Sequence, residues 1–471
     1  MVDSTVRPVF LGYSAQFRAP STGGDNAGEG GGATLNLAVS RLEARTIPMP
    51  IPRLAIPALT AAALTLAPAP AYAQQQSGPP LSADERRCAG MGGVSSDAQA
   101  AACTTLLQSG RYVGDNLAIV HSNRGIAYAR SGDYDRAVTE FDAAVRINPG
   151  YARAYLSRGN AHLVRRDFDR AIASFDQAIR LDPRGASSYM GRATARDAKG
   201  DSDRAVADYD QAVKLDPNLS AAYFNRGLVL RRIGQSDRAI ADYDQALRLN
   251  PRDVAAYNNR GIALADKGEQ DRAIADYDAA LKLDPGYALA YLNRGLAWNA
   301  KKDPDRAIAD FDAAIRLAPE NASAYGNRGI AHEARGDSDR ALADLDKAIA
   351  LDARNATFYG NRGNIWRNRG TLDRAIADYD KAIALSPGFA PAYYERAQAH
   401  YIAGRFREAL ADAGKAAELN VNWAQAISLR GLIQEKLGAK DAAIADLRRA
   451  AALDPLLQQP ADALRRLGVM R

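Results

Sequence analysis

A period of 34 residues runs through most of this 471-residue chain. Alanine occupies one column without a break from Ala137 to Ala443, and glycine fills most of a second column from Gly125 to Gly431. Ten units at this spacing cover residues 118–457. Units this short cannot each enclose a core, so neighbouring units must stack on one another. The period therefore overrides the roughly three globular domains that about 150 residues per domain would predict.

Each unit has the pattern of two helices. Tyr257, Gly261 and Leu264 follow one another at spacings of four and three, which places them on one face of a first helix. A second helix is expected at about 271–283, and Pro285 ends it because proline removes a donor and restricts the residue before it. The sequence predicts an all-α solenoid of helix-turn-helix units.

These columns resemble the tetratricopeptide repeat, whose Gly, Tyr/Leu, Gly, Ala, Tyr/Phe, Ala and Pro positions recur here at an unbroken spacing of 34. The resemblance implies a right-handed α-solenoid of about ten repeats with terminal capping helices. It also implies a concave surface, lined by the first helices, that holds peptides or partner proteins. One column differs from the usual apolar residue and is similar to the Asn-Arg-Gly variety common in bacterial proteins: Arg124, Arg158, Arg192, Arg226, Arg260, Arg294, Arg328, Arg362, Arg396 and Arg430.

Two interpretations of this arginine column remain open. It could be a cationic ladder for a polyanion, or it could pair with acids inside the fold. The sequence favours internal pairing, because one acid column runs from Glu140 to Asp446 in nine of ten units and another from Asp142 to Asp380 in eight. A residue present in every unit is also expected to serve what every unit shares, which is stacking. Only 11 of the 61 basic residues are lysine, in keeping with organised Arg–Asp pairing.

Partner binding is expected where the units differ. The first-helix positions that should face the groove do vary, and they combine apolar, aromatic and arginine side chains of the kind found at partner sites. Some of them could instead cover the seam between stacked helices. The predicted groove residues are Leu156, Met190, Phe224, Leu228, Arg231, Ile262, Leu292, Leu296, Ile330, Arg367, Tyr394 and Tyr401.

The predicted function is a protein-interaction scaffold with a protein or peptide partner. The alternative is a binding protein for an envelope polymer, such as a glycan or peptidoglycan, through groove aromatics and arginines. A net charge of +6 over this length is too weak to predict nucleic-acid binding. Four histidines, two cysteines and the absence of known catalytic or phosphate-binding motifs predict no enzyme, no metal site and no cofactor.

The start of the chain is expected to lie outside the folded protein. Residues 1–48 are predicted to be a disordered or non-native extension. Residues 49–73 read as a signal peptide, with a basic start, an apolar stretch and an Ala-Tyr-Ala site, too short and proline-interrupted to remain as a membrane span. The mature protein is therefore expected to be exported to the periplasm without a transmembrane segment.

Two terminal segments flank the repeats. Residues 74–117 are predicted to be a linker and a helical cap, and 458–471 a capping helix. Cys88 and Cys103 are the only thiols and lie 15 residues apart within the first segment. An even count in an exported chain predicts a disulfide that staples the cap. The alternative is a pair of free thiols in redox or metal chemistry.

Overall fold

The computed structural model describes residues 81–469. Within that range the chain forms 23 helices, numbered α1 to α23 below, and no strand. The described residues divide into two compact units between Pro285 and Gly286, called here the N-terminal unit and the C-terminal unit. The predicted extension 1–48, the predicted signal peptide 49–73 and the first residues of the predicted linker lie outside the described range. The predicted all-α fold of consecutive helix pairs is confirmed.

The N-terminal unit contains a cap of two helices and then five helix pairs, repeats 1 to 5. The first helix of each pair is called helix A and the second helix B. Its helices are α1 (Ala83–Cys88), α2 (Ser96–Gln108), α3 (Gly114–Arg130), α4 (Tyr134–Ile147), α5 (Ala152–Val164), α6 (Phe168–Leu181), α7 (Ala186–Ala198), α8 (Ser202–Leu215), α9 (Ser220–Arg232), α10 (Ser236–Leu249), α11 (Val254–Asp266) and α12 (Gln270–Leu283).

The C-terminal unit contains five more helix pairs, repeats 6 to 10, and a terminal helix. None of the helices described in either unit is long and apolar enough to cross a membrane. The helices of this unit are α13 (Ala288–Ala300), α14 (Pro304–Leu317), α15 (Ala322–Ala334), α16 (Ser338–Leu351), α17 (Ala356–Asn368), α18 (Leu372–Leu385), α19 (Ala390–Ile402), α20 (Phe406–Leu419), α21 (Ala424–Lys436), α22 (Lys440–Leu453) and α23 (Gln458–Arg466).

The helices begin and end at the residues that the local chemistry favours. The Asp303 side chain caps α14 by accepting a hydrogen bond from the backbone N–H of Arg306 at 3.1 Å, and Pro304 occupies the first turn. Most helix A segments end in a glycine with positive φ, which suits the left-handed turn into helix B. Arg166 and Lys302 adopt that conformation without glycine, at φ values of 62° and 61°.

Helix A and helix B of one repeat approach closely because the glycine column faces the aromatic column. A Cβ atom added to Gly261 would lie 2.6 Å from the ring of Tyr277, and one added to Gly125 would lie 2.7 Å from the ring of Phe141. Ala273, in the unbroken alanine column, is fully buried. Because these residues are small, helix A and helix B of a repeat lie close enough together to bury the aromatic ring between them.

The N-terminal cap is stapled as predicted. Cys88 of α1 and Cys103 of α2 form a disulfide and are both buried. They pack with Val120 of α3, so the cap covers the first repeat. Free thiols for redox or metal chemistry are therefore not present in the described structure.

The predicted C-terminal capping helix corresponds to α23. Its Leu464 packs against Leu432 and Leu447 of repeat 10. This contact covers the apolar face that the last helix pair would otherwise expose, as the end of a repeat stack requires.

Candidate functional site

The arginines of the repeated column form ion pairs within their own repeats and with neighbouring repeats. Arg192 of α7 donates from Nε and Nη2 to the two carboxylate oxygens of Asp208 in its own repeat, at 2.8 and 2.6 Å. Its Nη1 donates to Asp176 of the preceding repeat at 2.7 Å. One guanidinium therefore ties helix A to its own helix B and to the preceding repeat. These hydrogen bonds raise the pKa of Arg192 above its ordinary value.

The same two-oxygen fork recurs at distances of 2.6–2.9 Å in repeats 3 to 10. Repeat 2 differs, because Arg158 donates to the hydroxyl of Ser174 and to Asp142. In repeat 1, Arg124 binds Glu140 and Thr104 of the cap. Internal pairing is confirmed, and the guanidinium groups are committed to neighbouring helices rather than offered to a polyanion.

The repeated tyrosine column supports the same arginines. The tyrosines of this column, from Tyr155 to Tyr393, are mostly half-buried. In eight repeats the tyrosine ring lies under the guanidinium three residues later, at 5.0–5.7 Å from the ring centroid. Each ring thus adds a cation–π contact to the ion pair.

Six predicted groove residues belong to the N-terminal unit, and we call them the N-terminal strip. Leu156, Phe224, Leu228 and Ile262 are half-buried, so part of each apolar surface faces solvent. Met190 is buried. The sixth residue is Arg231, whose Nη1 lies 3.3 Å from Asp266.

The other six predicted groove residues form the C-terminal strip. Leu292 is fully buried in the core around Phe311, so it has no surface to offer a partner, contrary to the prediction. Leu292 packs with Phe311 of its own helix B and with Ala324 of the following helix A, whereas Phe224 at the same register keeps partly exposed surface. Leu296 and Ile330 are half-buried.

Arg367 of the C-terminal strip is engaged internally. Its guanidinium pairs with Glu395 and donates to the side-chain oxygen of Gln398 at 2.8 Å. Both members of the ion pair are about nine-tenths buried. The sequence prediction missed Glu395, although the sequence held one signal. Glu395 stands directly before the column arginine Arg396, where most repeats carry asparagine.

Tyr394 and Tyr401, the last two residues of the C-terminal strip, contact other aromatic rings. The ring of Tyr394 lies 4.7 Å from the ring of Trp423, and the ring of Tyr401 lies 5.5 Å from that of Phe406. Burial raises the pKa of both tyrosine hydroxyls. These rings therefore combine partial exposure with packing between helices of the C-terminal unit.

The histidines are part of the repeat packing. His162, His332 and His400 share one register position on helix A, and burial lowers the pKa of each. His121 contacts the carboxylate of Glu140 at 2.8 Å. Among the described residues, no group of three or more His, Cys, Asp or Glu side chains is placed to hold a metal ion.

Several solved structures are similar to this chain. A tetratricopeptide repeat protein from Parabacteroides merdae has 23% identity and a TM-score of 0.47, covering 53% of this chain and 98% of its own. YrrB, described as a TPR protein with an unusual peptide-binding site, has 27% identity and a TM-score of 0.36, covering 39% and 95%. Yeast Tom70 has 17% identity and a TM-score of 0.44, covering 79% and 91%. No curated protein sequence matches the chain significantly.

The family assignment rests on sequence profiles. Profiles of the tetratricopeptide repeat match more than half of the chain, over residues 122–186, 156–220, 190–239, 224–288, 271–322, 326–388 and 424–455. These matches fall on the helix pairs of both units, whose glycine, alanine and aromatic columns pack as described above. The chain therefore belongs to the tetratricopeptide repeat family.

Proposed function

We propose that this protein is a scaffold that binds peptide or protein partners along the helix A strips of its repeats. The proposal rests on the difference between the positions that repeat in every unit of 34 residues and the positions that vary. The columns that repeat are used inside the fold, where arginine pairs with aspartate and glycine receives an aromatic ring. The strip positions vary from repeat to repeat and keep partly exposed apolar surface at residues such as Phe224 and Leu296.

Binding of an anionic envelope polymer is the weaker candidate. It would need a row of uncommitted cations on helix A. The ten ladder arginines are engaged within the protein, and Arg367 pairs with Glu395. The strips offer apolar and aromatic side chains, which suit a polypeptide partner. Binding through such contacts should tolerate salt that would weaken arginine-led binding.

The proposed place of action is the bacterial cell envelope. The basic start, apolar stretch and Ala-Tyr-Ala site of residues 49–73 support export. The disulfide between Cys88 and Cys103 fits an oxidising compartment. A scaffold in that location would meet partners that are themselves exported.

Site-specific photocrosslinking tests the scaffold proposal. A photoreactive phenylalanine analogue replaces Phe224 in the N-terminal strip, and the matched control carries it at Arg204 on the exposed side of α8. The expected result is a discrete protein adduct from position 224 that persists in about 0.5 M salt. Equal labelling from both positions, or adducts that contain only polysaccharide, would contradict the proposal.

A further inference from the structure

Arg231 and Arg367 occupy the same register position in different units. Arg231 lies five residues after Arg226 on α9, and Arg367 lies five residues after Arg362 on α17. Both were predicted to face a partner. Their surroundings differ, and each can be compared with the other as an internal reference.

In the C-terminal unit this position is satisfied. Arg367 has Glu395 and Gln398 as acceptors, and its side chain is 10% exposed. The hydroxyl of the neighbouring Tyr379 bonds to the side-chain oxygen of Asn364 at 2.8 Å. The donors around Arg367 thus find acceptors within the unit.

In the N-terminal unit the corresponding acceptors are missing. Asn259 and Ile262 stand at the register positions of the two Arg367 acceptors, and the Asn259 amide donates to a backbone carbonyl of its own helix. Arg231 pairs with the exposed carboxylate of Asp266, at 3.3 Å, and its side chain is 25% exposed. Its Nε is buried and has no hydrogen-bond partner among the described residues.

A buried hydroxyl lies next to it. Tyr243 is fully buried, and its hydroxyl has the side chain of Arg231 as a hydrogen-bonding neighbour. In the preceding repeat the equivalent Tyr209 hydroxyl contacts the Thr194 hydroxyl at 2.9 Å, but repeat 4 has Leu228 at that register. Burial raises the pKa of the Tyr243 hydroxyl, which keeps its proton available to donate.

Arg231 and Tyr243 belong to one local environment. Arg231 is close enough to Tyr243 to interact with it electrostatically. The ring of Phe224 lies 5.9 Å from that of Tyr243. Leu228, four residues after Phe224 on α9, is half-buried. A carboxylate is the side chain that best satisfies Arg231, because its two oxygens accept several hydrogen bonds and carry the opposite charge.

We propose that Arg231, positioned against the buried Tyr243 hydroxyl, forms a subsite of the N-terminal strip that takes the carboxylate of an Asp or Glu side chain in a partner peptide. Phe224 and Leu228 then contact a bulky apolar residue next to that acid. This subsite rests on the proposed scaffold function and narrows its partner to peptides in which an acidic residue adjoins an apolar one. Arg367 has no corresponding role, because Glu395 already supplies its carboxylate.

The test uses a displayed library of random twelve-residue peptides, selected on the purified full chain. Enriched peptides are synthesised with blocked termini, so that any carboxylate comes from a side chain, and their affinity is measured by titration. We expect the enriched sequences to share one Asp or Glu beside a bulky apolar residue. Replacing that acid by its amide, or making Arg231→Gln, should weaken binding about tenfold or more, with little further loss when both changes are combined.

Two variants guard against a folding artefact. Tyr243→Phe removes only the hydroxyl and should weaken the acidic peptide several-fold while leaving its amide version unchanged. Arg367→Gln is the matched control at the same register and should keep the acidic preference, even where it lowers the thermal midpoint. A version of the peptide with a free C-terminal carboxylate in place of the side chain separates the two sources of that group.

Each outcome has a definite meaning. Enriched peptides without an acidic residue, or an Arg231→Gln variant that binds the acidic peptide as tightly as the original, would overturn the subsite and leave the scaffold proposal standing. Loss of the acidic preference in Arg367→Gln would also overturn it. Selection of no peptide at all would remove the scaffold proposal itself.

Discussion

At the scale of single residues, the ladder arginine illustrates how one side chain serves three helices. Arg260 donates to both oxygens of Asp276 at 2.8 and 2.6 Å and to Asp244 of the preceding repeat at 2.6 Å. Asp276 is buried, whereas the side chain of Asp244 is about half exposed. Removing the arginine would leave a buried carboxylate without its main partner, and that cost exceeds what the intact pair contributes.

We expect Arg260→Ala to lower the free energy of unfolding by about 1–3 kcal/mol, between the values for exposed and buried pairs. In a double-mutant cycle with Asp276→Ala, the two changes together should cost less than their sum. The control is Arg272→Ala, whose side chain is 63% exposed against 22% for Arg260, and which should change stability by less than about 0.5 kcal/mol. Denaturant unfolding followed by circular dichroism measures all three variants. Unchanged stability with lost partner binding would show that the column is a ligand site after all.

Histidine burial predicts a pH effect. Burial lowers the pKa of His332 and His400 below the ordinary value of about 6.5, so the unfolded chain binds more protons than the folded chain as the pH falls through that value. Stability is therefore present above pH 6.5 and lost progressively below it. The charges that act on His332 are those of Asp344, Arg335, Arg328 and Asp337, and those that act on His400 are those of Asp412, Arg396, Arg405 and Glu408.

Replacing His332 and His400 by leucine, the residue that repeats 4 and 5 carry at this register, should reduce the fall in thermal midpoint between pH 7.5 and pH 5.5. Comparing the slope of the variant with that of the original protein cancels the contribution of groups common to both. Identical slopes would mean that these two histidines do not report on folding in this range.

At the scale of elements, a disulfide joins the two short helices of the N-terminal cap. Cys88 and Cys103 join α1 to α2, and the Tyr112 hydroxyl donates to Glu85 at 2.7 Å. Helix α1 has only six residues, too short to be stable alone. A bridge over a 15-residue separation is expected to contribute about 3 kcal/mol by restricting the unfolded chain.

We expect Cys88→Ala with Cys103→Ala to loosen α1 and α2 while leaving the helices of repeats 3 to 5 unchanged. Hydrogen exchange measured by mass spectrometry should show faster exchange in α1 and α2 only, because stability in a repeat stack is local. Non-reducing peptide mapping of the original protein is the control, and both thiols found free would rule out the staple. Equal acceleration throughout the N-terminal unit would contradict a local role.

At the scale of the whole molecule, both units repeat one packing scheme, and the proposed export determines where the protein acts. We expect translation to start at Met49 and cleavage to follow Ala73, so that the mature protein begins at Gln74. N-terminal sequencing of protein from the periplasmic fraction measures this directly. Replacing Ala71 and Ala73 by bulky residues should block processing, whereas recovery of any peptide from residues 1–48 would refute the predicted start.

Most of the fold was predictable because repetition multiplies a weak local pattern. A single Tyr257–Gly261–Leu264 spacing indicates a helix only loosely, but the recurrence of tyrosine, glycine and alanine columns at one period through ten units predicts a stack of helix pairs. Pairing of the arginine column with the acid columns followed from the number of acids at the same period, nine and eight against ten arginines. The cysteine pair followed from its even count and its place in a terminal segment.

The binding surface was less predictable, because sequence register does not say which of two neighbouring helix faces is covered. Leu292 and Leu296 lie four residues apart on one helix, yet the first is fully buried and the second half-exposed. Arg231 and Arg367 share a register, yet only Arg367 pairs with a buried carboxylate. The reason is that the next helix A carries Glu395 beside Arg367, whereas it carries Asn259 at the position that corresponds for Arg231. The sequence by itself determined the repeat, the helices and the internal ion pairs, all of which depend on contacts repeated in every unit. Only the tertiary structure decided which side chains keep free surface and unmet hydrogen-bond donors, because that depends on contacts specific to one pair of neighbouring repeats.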